Sequence, residues 1–476
     1  MLPDLPIALG LNGFLPWLLG FALATALVPG GDTARQRLNM AYAYPLGMAA
    51  LAALLALFDL AGIPFQRAAL VGTATITTLL LFLWTWRRNG SGSLPRLTIS
   101  APPSLTPPMI VLGLAAVILL TLMSRDLLLS PTESWDSWMN WEPRARIWFD
   151  QGHLAPFVSP SEWLARPPGT EAFVLGNSFA ANQPPLVPLI MLWEMIMLQD
   201  PHAPVLYLAW PALALSVALA IGLQLQQRGA NALAVPLGAF LFLAIPYVGA
   251  HVTMAGYADL ILAVYFTLGV LGIQSWSDTG NRRHLLMTVV LAVAVLMAKR
   301  PGIILLPIML ATLASMAAPP VMQRRFTKLL LAAGVIVLAI TALPFIAVAV
   351  GLSVPTGDLV VFPAPAIQEL ALGIYPFLPL ALHTVFDASN WGLFWILLGL
   401  AAISRRAGSP PRACTLALLM TLIALYGVFG LTHYYREAAN TATLNRALLY
   451  LIPLGVCLIT DRILHAFRPQ RTEDQQ

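Results

Sequence analysis

The sequence predicts an all-α integral membrane protein with about 13 transmembrane helices and a long outer loop carrying interfacial helices. Three observations predict it. Hydrophobic residues make up 58% of the chain and charged residues 10%, with a mean hydropathy of +0.78, a balance foreign to soluble domains. Apolar runs close to the ~20 residues that a bilayer requires recur from end to end. The basic residues sit in short loops between those runs, not in one patch, so the net charge of +5 is no nucleic-acid signature.

Thirteen runs fall near 5–28, 40–63, 66–86, 107–128, 203–227, 232–250, 256–276, 284–298, 301–318, 328–351, 390–404, 412–432 and 446–465, with 284–298 and 390–404 short. The first lacks a basic leader and a cleavage site and is read as a retained helix. The positive-inside rule places Arg35/Arg37, Arg87/Arg88/Arg96, Arg228, Arg282/Arg283, Arg324/Arg325/Lys328, Arg405/Arg406/Arg412 and the tail Arg468/Arg471 on the cytoplasmic side. These loops alternate with the thirteen runs, which puts the N-terminus outside and the C-terminus inside. Two Pro-flanked apolar segments, 184–200 and 366–386, break that alternation if either is counted as a span. They are read as helices lying in or dipping into the outer interface. Cys414 and Cys457 lie inside apolar runs and suggest neither a disulfide framework nor a metal site.

A Pro/Ser-rich linker, 90–108, separates the first three runs from the rest, and a long outer loop, 125–202, follows the fourth. Loops of that length are usually functional. Its start reads ESWDSWMNWEPRARIWFDQG, residues 133–152, with Glu133, Asp136, Glu142, Arg144, Arg146 and Asp150 among Trp135, Trp138, Trp141 and Trp148. Charges are costly at hydrocarbon, so their concentration at a membrane exit points to binding or chemistry. Pro143 suits the first turn of a helix over 143–151, with Asp136 in the turn before it. The tryptophans also fit an aromatic belt. No internal repeat is visible, unlike many secondary transporters.

Five pieces recur in an order that resembles the GT-C superfamily of polytopic glycosyltransferases: WDSWMNWEPRARIWFDQG (135–152), QPPLVPLIMLW (183–193), GYADLILAVYF (256–266), AKRPGIILLP (298–307) and NRALLYLIPL (445–454). The resemblance spans about 107–465 and includes the bacterial aminoarabinose and mannosyl transferases that use polyprenyl-phosphate sugars. It implies an outward-facing site that transfers a sugar from such a donor to a lipid, glycan or protein acceptor. Glu133 and Asp136 depart from the adjacent acidic pair of some members by standing three apart.

Such transfer requires a carboxylate for the acceptor proton, cations for the leaving phosphate, and an apolar groove for the prenyl tail. Asp136 is the candidate base, with Glu133 and Asp259 as further catalytic candidates. An N-cap or a salt bridge to Arg144 or Arg146 is the bland role for Asp136, and a favourable helix-dipole position is that of Asp259. Lys299, Arg300 and Arg446 are the candidate phosphate ligands. All three fall outside by this topology, against the positive-inside trend, and Lys299 is one of two lysines in the chain. Snorkelling to headgroups is their bland role. Glu142, Arg144, Arg146, Trp138, Tyr257 and Arg436 are the candidate substrate-binding residues. His251 reads as a loop residue.

The chain divides into N-terminal helices and cytoplasmic linker (1–106), a catalytic core with the outer loop (107–350), and C-terminal helices with a short cytoplasmic tail (351–476). The expected location is the bacterial inner membrane, with no organic cofactor and no nucleic-acid partner. Clustered carboxylates allow a divalent cation, but no ligand spacing demands one. The rival readings are a glycan ligase or polymerase and a lipid-linked-sugar flippase or transporter.

Overall fold

The computed structural model describes residues 5–29, 33–88, 104–129, 134–203, 205–350, 356–364, 368–404 and 411–467. Most of the linker 90–108, Glu133, and the basic residues Arg96, Arg405, Arg406, Arg468 and Arg471 lie outside the described residues.

The chain is a helical, multi-pass membrane protein. Among the described residues nine helical stretches are long and apolar enough to cross a bilayer. They are α1 (Leu5–Leu27), α2 (Thr33–Leu60), α3 (Arg67–Arg88), α4 (Pro107–Leu129), α8 (Ala209–Gln227), α11 (Ala258–Thr279), α14 (Pro320–Ala349), α18 (Arg412–Leu431), and α20 (Thr441–Leu448) running into α21 (Ile452–Ala466). The long stretch between α4 and α8 holds α5 (Glu142–Gln151), α6 (Pro160–Ala165) and α7 (Leu186–Leu198). The run at 232–250 is two helices, α9 (Ala234–Leu243) and α10 (Pro246–Thr253), bent by 73° where Pro246 starts the second. Three further runs form shorter apolar helices, α12 (Arg283–Ala298), α13 (Gly302–Ala317) and α17 (Phe394–Ile403), the last preceded by the single turn α16 (Ala388–Trp391).

Burial grades these helices. α11 is enclosed from Ala258 to Ser275 and forms the axis of the bundle. α4 buries only Ala116 and Leu127, so its apolar surface faces lipid. The N-terminal helices are tied to the core: Tyr42 Oη on α2 donates to Leu268 O at 3.1 Å, and Tyr265 Oη donates to Pro45 O at 2.8 Å.

One expectation is sharpened and one is corrected. The segment 184–200 contains α7, whose every residue from Leu186 to Leu198 is buried against α1, α2, α5 and α12. It packs inside protein, which its apolar character on all sides explains. The segment 366–386 is not one helix, and among the described residues a single two-stranded hairpin joins an otherwise helical fold. Residues 368–374 form β2 (Gln368–Ile374), antiparallel to β1 (Gly357–Ala364), in register from Gly357↔Ile374 to Ala364↔Gln368. Val360, Val361 and Phe362 favour an extended backbone. Only after Pro376 does the chain turn helical, as α15 (Phe377–Val385), and α19 (Tyr435–Ala439) follows α18.

Candidate functional site

The site begins at the acidic exit from α4. Residues 135–136 already have helical geometry, and a π turn over Ser137–Trp141 joins them to α5. Insertions of this kind re-aim side chains and cluster at functional sites. Pro143 occupies the first turn of α5, as expected. Asp136 therefore lies on the helix, not in a turn before it, and makes no capping hydrogen bond. Ser134 Oγ takes that role by accepting from Ser137 N at 3.1 Å.

The break between α10 and α11 presses against this turn. Gly256 has φ +97°, and a Cβ there would stand 2.4 Å from both Ser137 Cβ and Oγ, so only glycine permits the approach. Tyr257 then caps α11 in extended conformation, and Asp259 sits in the first helical turn. A second break, Lys299–Pro301, separates α12 from α13 and leaves Lys299 extended. From the other end of the chain, α20 brings Arg446, and Tyr450 lies one turn further along the same face.

Four sequence-predicted residues converge here. Asp259 is wholly buried, and its two oxygens accept from Lys299 Nζ at 2.8 and 2.9 Å, from Arg446 Nε at 2.7 Å and from Tyr450 Oη at 2.6 Å. Asp136 accepts from the Nη2 of the same Arg446 and lies 3.9 Å from Lys299 Nζ. The Arg446 guanidinium also rests 5.0 Å from the Tyr257 ring centroid. Two carboxylates and two cations thus form a network of zero formal charge. Charge-assisted bonds of this kind offset the desolvation of buried ions. The network is graded in exposure: the Asp259 side chain is 0% exposed, Asp136 8%, Lys299 15% and Arg446 23%. Asp259 has its lone pairs filled, whereas Asp136 has room for a further partner.

An aromatic belt behind Arg446 fixes its direction. His251, buried on α10, packs its ring 5.3 Å from Tyr257 and 4.5 Å from Tyr247. Tyr247 meets Trp391 at 5.0 Å, and Trp391 Nε1 donates to Asn445 Oδ1 at 3.2 Å, next to Arg446. His251 therefore belongs to a helix that backs the site, not to a loop.

The remaining candidates divide. Glu142 pairs with Arg146 one turn on, and its other oxygen accepts from Ser137 Oγ at 3.3 Å. Both line a cavity of about 800 Å3 together with Trp138 and Tyr207. None of the four network residues lines that cavity; Ser137 stands between the two. Arg144 is buried against Trp148 and Phe157 and donates to Gln183 O at 2.9 Å, which tethers the QPPLVPL segment. Burial lowers its pKa to about 10. Arg436 lies at the β hairpin, paired with Asp358 at 2.8 Å. Among the described residues no ion pair holds Arg300. The tryptophans are not one belt: Trp135 and Trp138 are half exposed and meet edge to face at 4.9 Å, while Trp141 and Trp148 are buried.

Sequence reasoning missed Tyr450, Ser137 and Gly256. Tyr450 was within reach, since it stands four residues after Arg446. Among the described residues no group of three His, Cys, Asp or Glu side chains is disposed to hold a metal ion. Comparison with models of protein families, with curated proteins and with solved structures returns no match.

Proposed function

We propose that the protein is an integral-membrane glycosyltransferase of the GT-C type, acting at the outer face of a bacterial inner membrane. It transfers a sugar from a polyprenyl-phosphate donor to an acceptor hydroxyl. The observation that carries this reading is the convergence of Asp136, Asp259, Lys299 and Arg446 from four separate segments. Lys299 and Arg446 bind the donor phosphate and stabilise the charge it gains as the glycosidic bond breaks. Asp136, the carboxylate with a free face, takes the proton of the acceptor hydroxyl. Asp259 and Tyr450 hold the cations in place. A single in-line displacement inverts the anomeric carbon.

The reading assigns the start of the prenyl chain to an apolar cavity. An apolar cavity of about 230 Å3 lies between α9, α17 and α21, lined by Phe240, Leu241, Phe394 and Val456, and closed on one side by Trp391. Trp391 is hydrogen-bonded to Asn445, the chain neighbour of Arg446. The membrane topology that goes with the reading counts the nine long stretches, the bent pair α9–α10, and the short helices α12, α13 and α17 as thirteen spans. The N-terminus is then outside and the C-terminus cytoplasmic.

The test is incubation of the purified protein in liposomes with a polyprenyl-monophosphate sugar. Release of free polyprenyl phosphate together with a glycosylated product is the expected result. Consumption of a diphosphate-linked polymer alone would instead identify a ligase. Movement of intact donor between leaflets without cleavage would identify a flippase.

A further inference from the structure

The cavity beside the network, about 800 Å3, is within the range of small-molecule sites and large enough for a disaccharide. Its walls have two characters. Leu128 on α4 and Met254 give it an apolar side, and Trp138, Glu142, Arg146 and Tyr207 give it a polar one. Part of the apolar side belongs to α4, the span that buries only two residues and so faces lipid. The end of a lipid-facing helix thus forms part of the cavity wall.

The polar side is built and rigid. Tyr207 adopts φ +76°, a conformation costly for a side chain of its size. It is held there by Glu194, a fully buried carboxylate of α7 that accepts from Tyr207 N at 3.0 Å and Ala209 N at 2.9 Å. The Tyr207 hydroxyl reaches Ser137 Oγ at 3.5 Å, the same oxygen that donates to Glu142. Strain locked by buried hydrogen bonds is a mark of functional positioning.

The chemistry of the lining selects the ligand. Glu142 and Arg146 neutralise each other, and the additional carboxylate of Asp126 disfavours an anion. A guanidinium, a carboxylate and a phenol side by side instead supply donors and acceptors for several hydroxyls. The half-exposed indole of Trp138 offers a flat face for a ring.

We infer that this cavity binds a membrane lipid whose headgroup is neutral and hydroxyl-rich, a glycolipid-like acceptor distinct from the phosphate-linked donor. Its role as acceptor rests on the transferase reading; its binding does not. Ser137, the chain neighbour of Asp136, bonds to Glu142 and Tyr207 of the cavity wall.

The test measures binding without donor, so that a failure of sugar transfer and a failure of this site are distinguishable. The protein in phosphatidylcholine nanodiscs is labelled with an alkyl maltoside carrying a photoreactive group on its chain. Labelled peptides are then mapped by mass spectrometry. Labelling is expected at Leu127–Leu129 and Met254. Dodecyl maltoside should compete at least about tenfold better than free maltose or dodecylphosphocholine, a 1.4 kcal/mol preference. Trp138→Ala, at a half-exposed position where folding is not at stake, should reduce labelling by a similar factor. Equal competition by dodecylphosphocholine would reassign the cavity to ordinary phospholipid, and equal competition by free maltose would reassign it to a soluble glycan. Labels confined to the outer surface of α4, or left unchanged by Trp138→Ala, would remove the site altogether.

Discussion

Asp259→Asn should cost stability first, and Asp136→Asn should cost turnover first. Asp259 is buried and accepts hydrogen bonds from Lys299, Arg446 and Tyr450, with N–O distances of 2.7–2.9 Å to the cations. Asparagine keeps its volume but turns one oxygen into a donor that faces two cations. Breaking a buried ion pair by removing one partner costs ~3–5 kcal/mol. Lys299 and Arg446 keep 15% and 23% of their side chains exposed, so water relieves part of the loss. The expected cost is therefore about 3 kcal/mol, at the lower end of that range. It corresponds to a roughly 150-fold smaller folding constant at 1.4 kcal/mol per tenfold. Asp136→Asn leaves Arg446 still paired with Asp259 and orphans no charge, so it should cost only about 1–2 kcal/mol. Its turnover should fall by ~100-fold or more, as on removing a general base. The assay is reversible unfolding in mixed micelles, followed by tryptophan fluorescence, beside sugar transfer at saturating donor. The assignment of roles is wrong if Asp136→Asn is the more destabilising change, or if it keeps near-normal turnover.

Three further outcomes are expected. Cysteines placed at the exposed positions 150 and 325 should be labelled from outside and only after permeabilisation, respectively, with the native Cys414 and Cys457 silent because they are buried; the opposite sidedness would overturn the external site. Gly256→Ala should destabilise by ~2 kcal/mol or more through backbone strain and the contact with Ser137 at 2.4 Å, and a variant as stable as the parent would show that the two breaks do not need this approach. Arg446→Lys should slow transfer ~10-fold or more because a point charge cannot bridge Asp136 and Asp259, and Lys299→Ala should weaken donor binding and transfer together; donor binding unchanged in both would move the phosphate elsewhere.

The network was legible in the sequence for a physical reason. A membrane excludes charge, so each ionisable group at the end of an apolar run stands out. Asp136, Asp259, Lys299 and Arg446 were all found that way, and the structure joins them. The same argument does not tell that Arg144, Arg300 and Arg436 stand outside the network, because sequence shows that a charge is present but not which carboxylate, carbonyl or ring it meets. Arg144 has its partner in Gln183, far along the chain. The helices were legible as apolar runs, but the bend at Ala244–Ile245 was hidden by the uninterrupted hydropathy of 232–250. The β hairpin was missed because apolar residues of 357–374 serve a strand as well as a helix, and periodicity over so short a run does not separate them. The enclosure of α7 was missed because an apolar helix looks alike to lipid and to protein.

On the proposed transferase reading, the charge balance of the network constrains how a donor phosphate enters. In the structure both cations are already neutralised, so a donor phosphate does not meet bare positive charge. If all four groups kept their partners, the phosphate would add uncompensated negative charge to a buried site, which is costly. One carboxylate must give way, and the geometry distinguishes the two. Asp259 is held by both cations and by Tyr450, and releasing it would break four bonds in a fully buried position. Asp136 is held by one end of Arg446 and is weakly attracted to Lys299 at 3.9 Å. A phosphate that takes Nη2 of Arg446 and approaches Lys299 therefore displaces Asp136 alone. That exchange frees the Asp136 carboxylate when the donor arrives, and leaves its oxygens open to accept from the acceptor hydroxyl. In the proposed reaction the base is masked in the resting protein and exposed by the donor, which restrains proton removal until a sugar is in place.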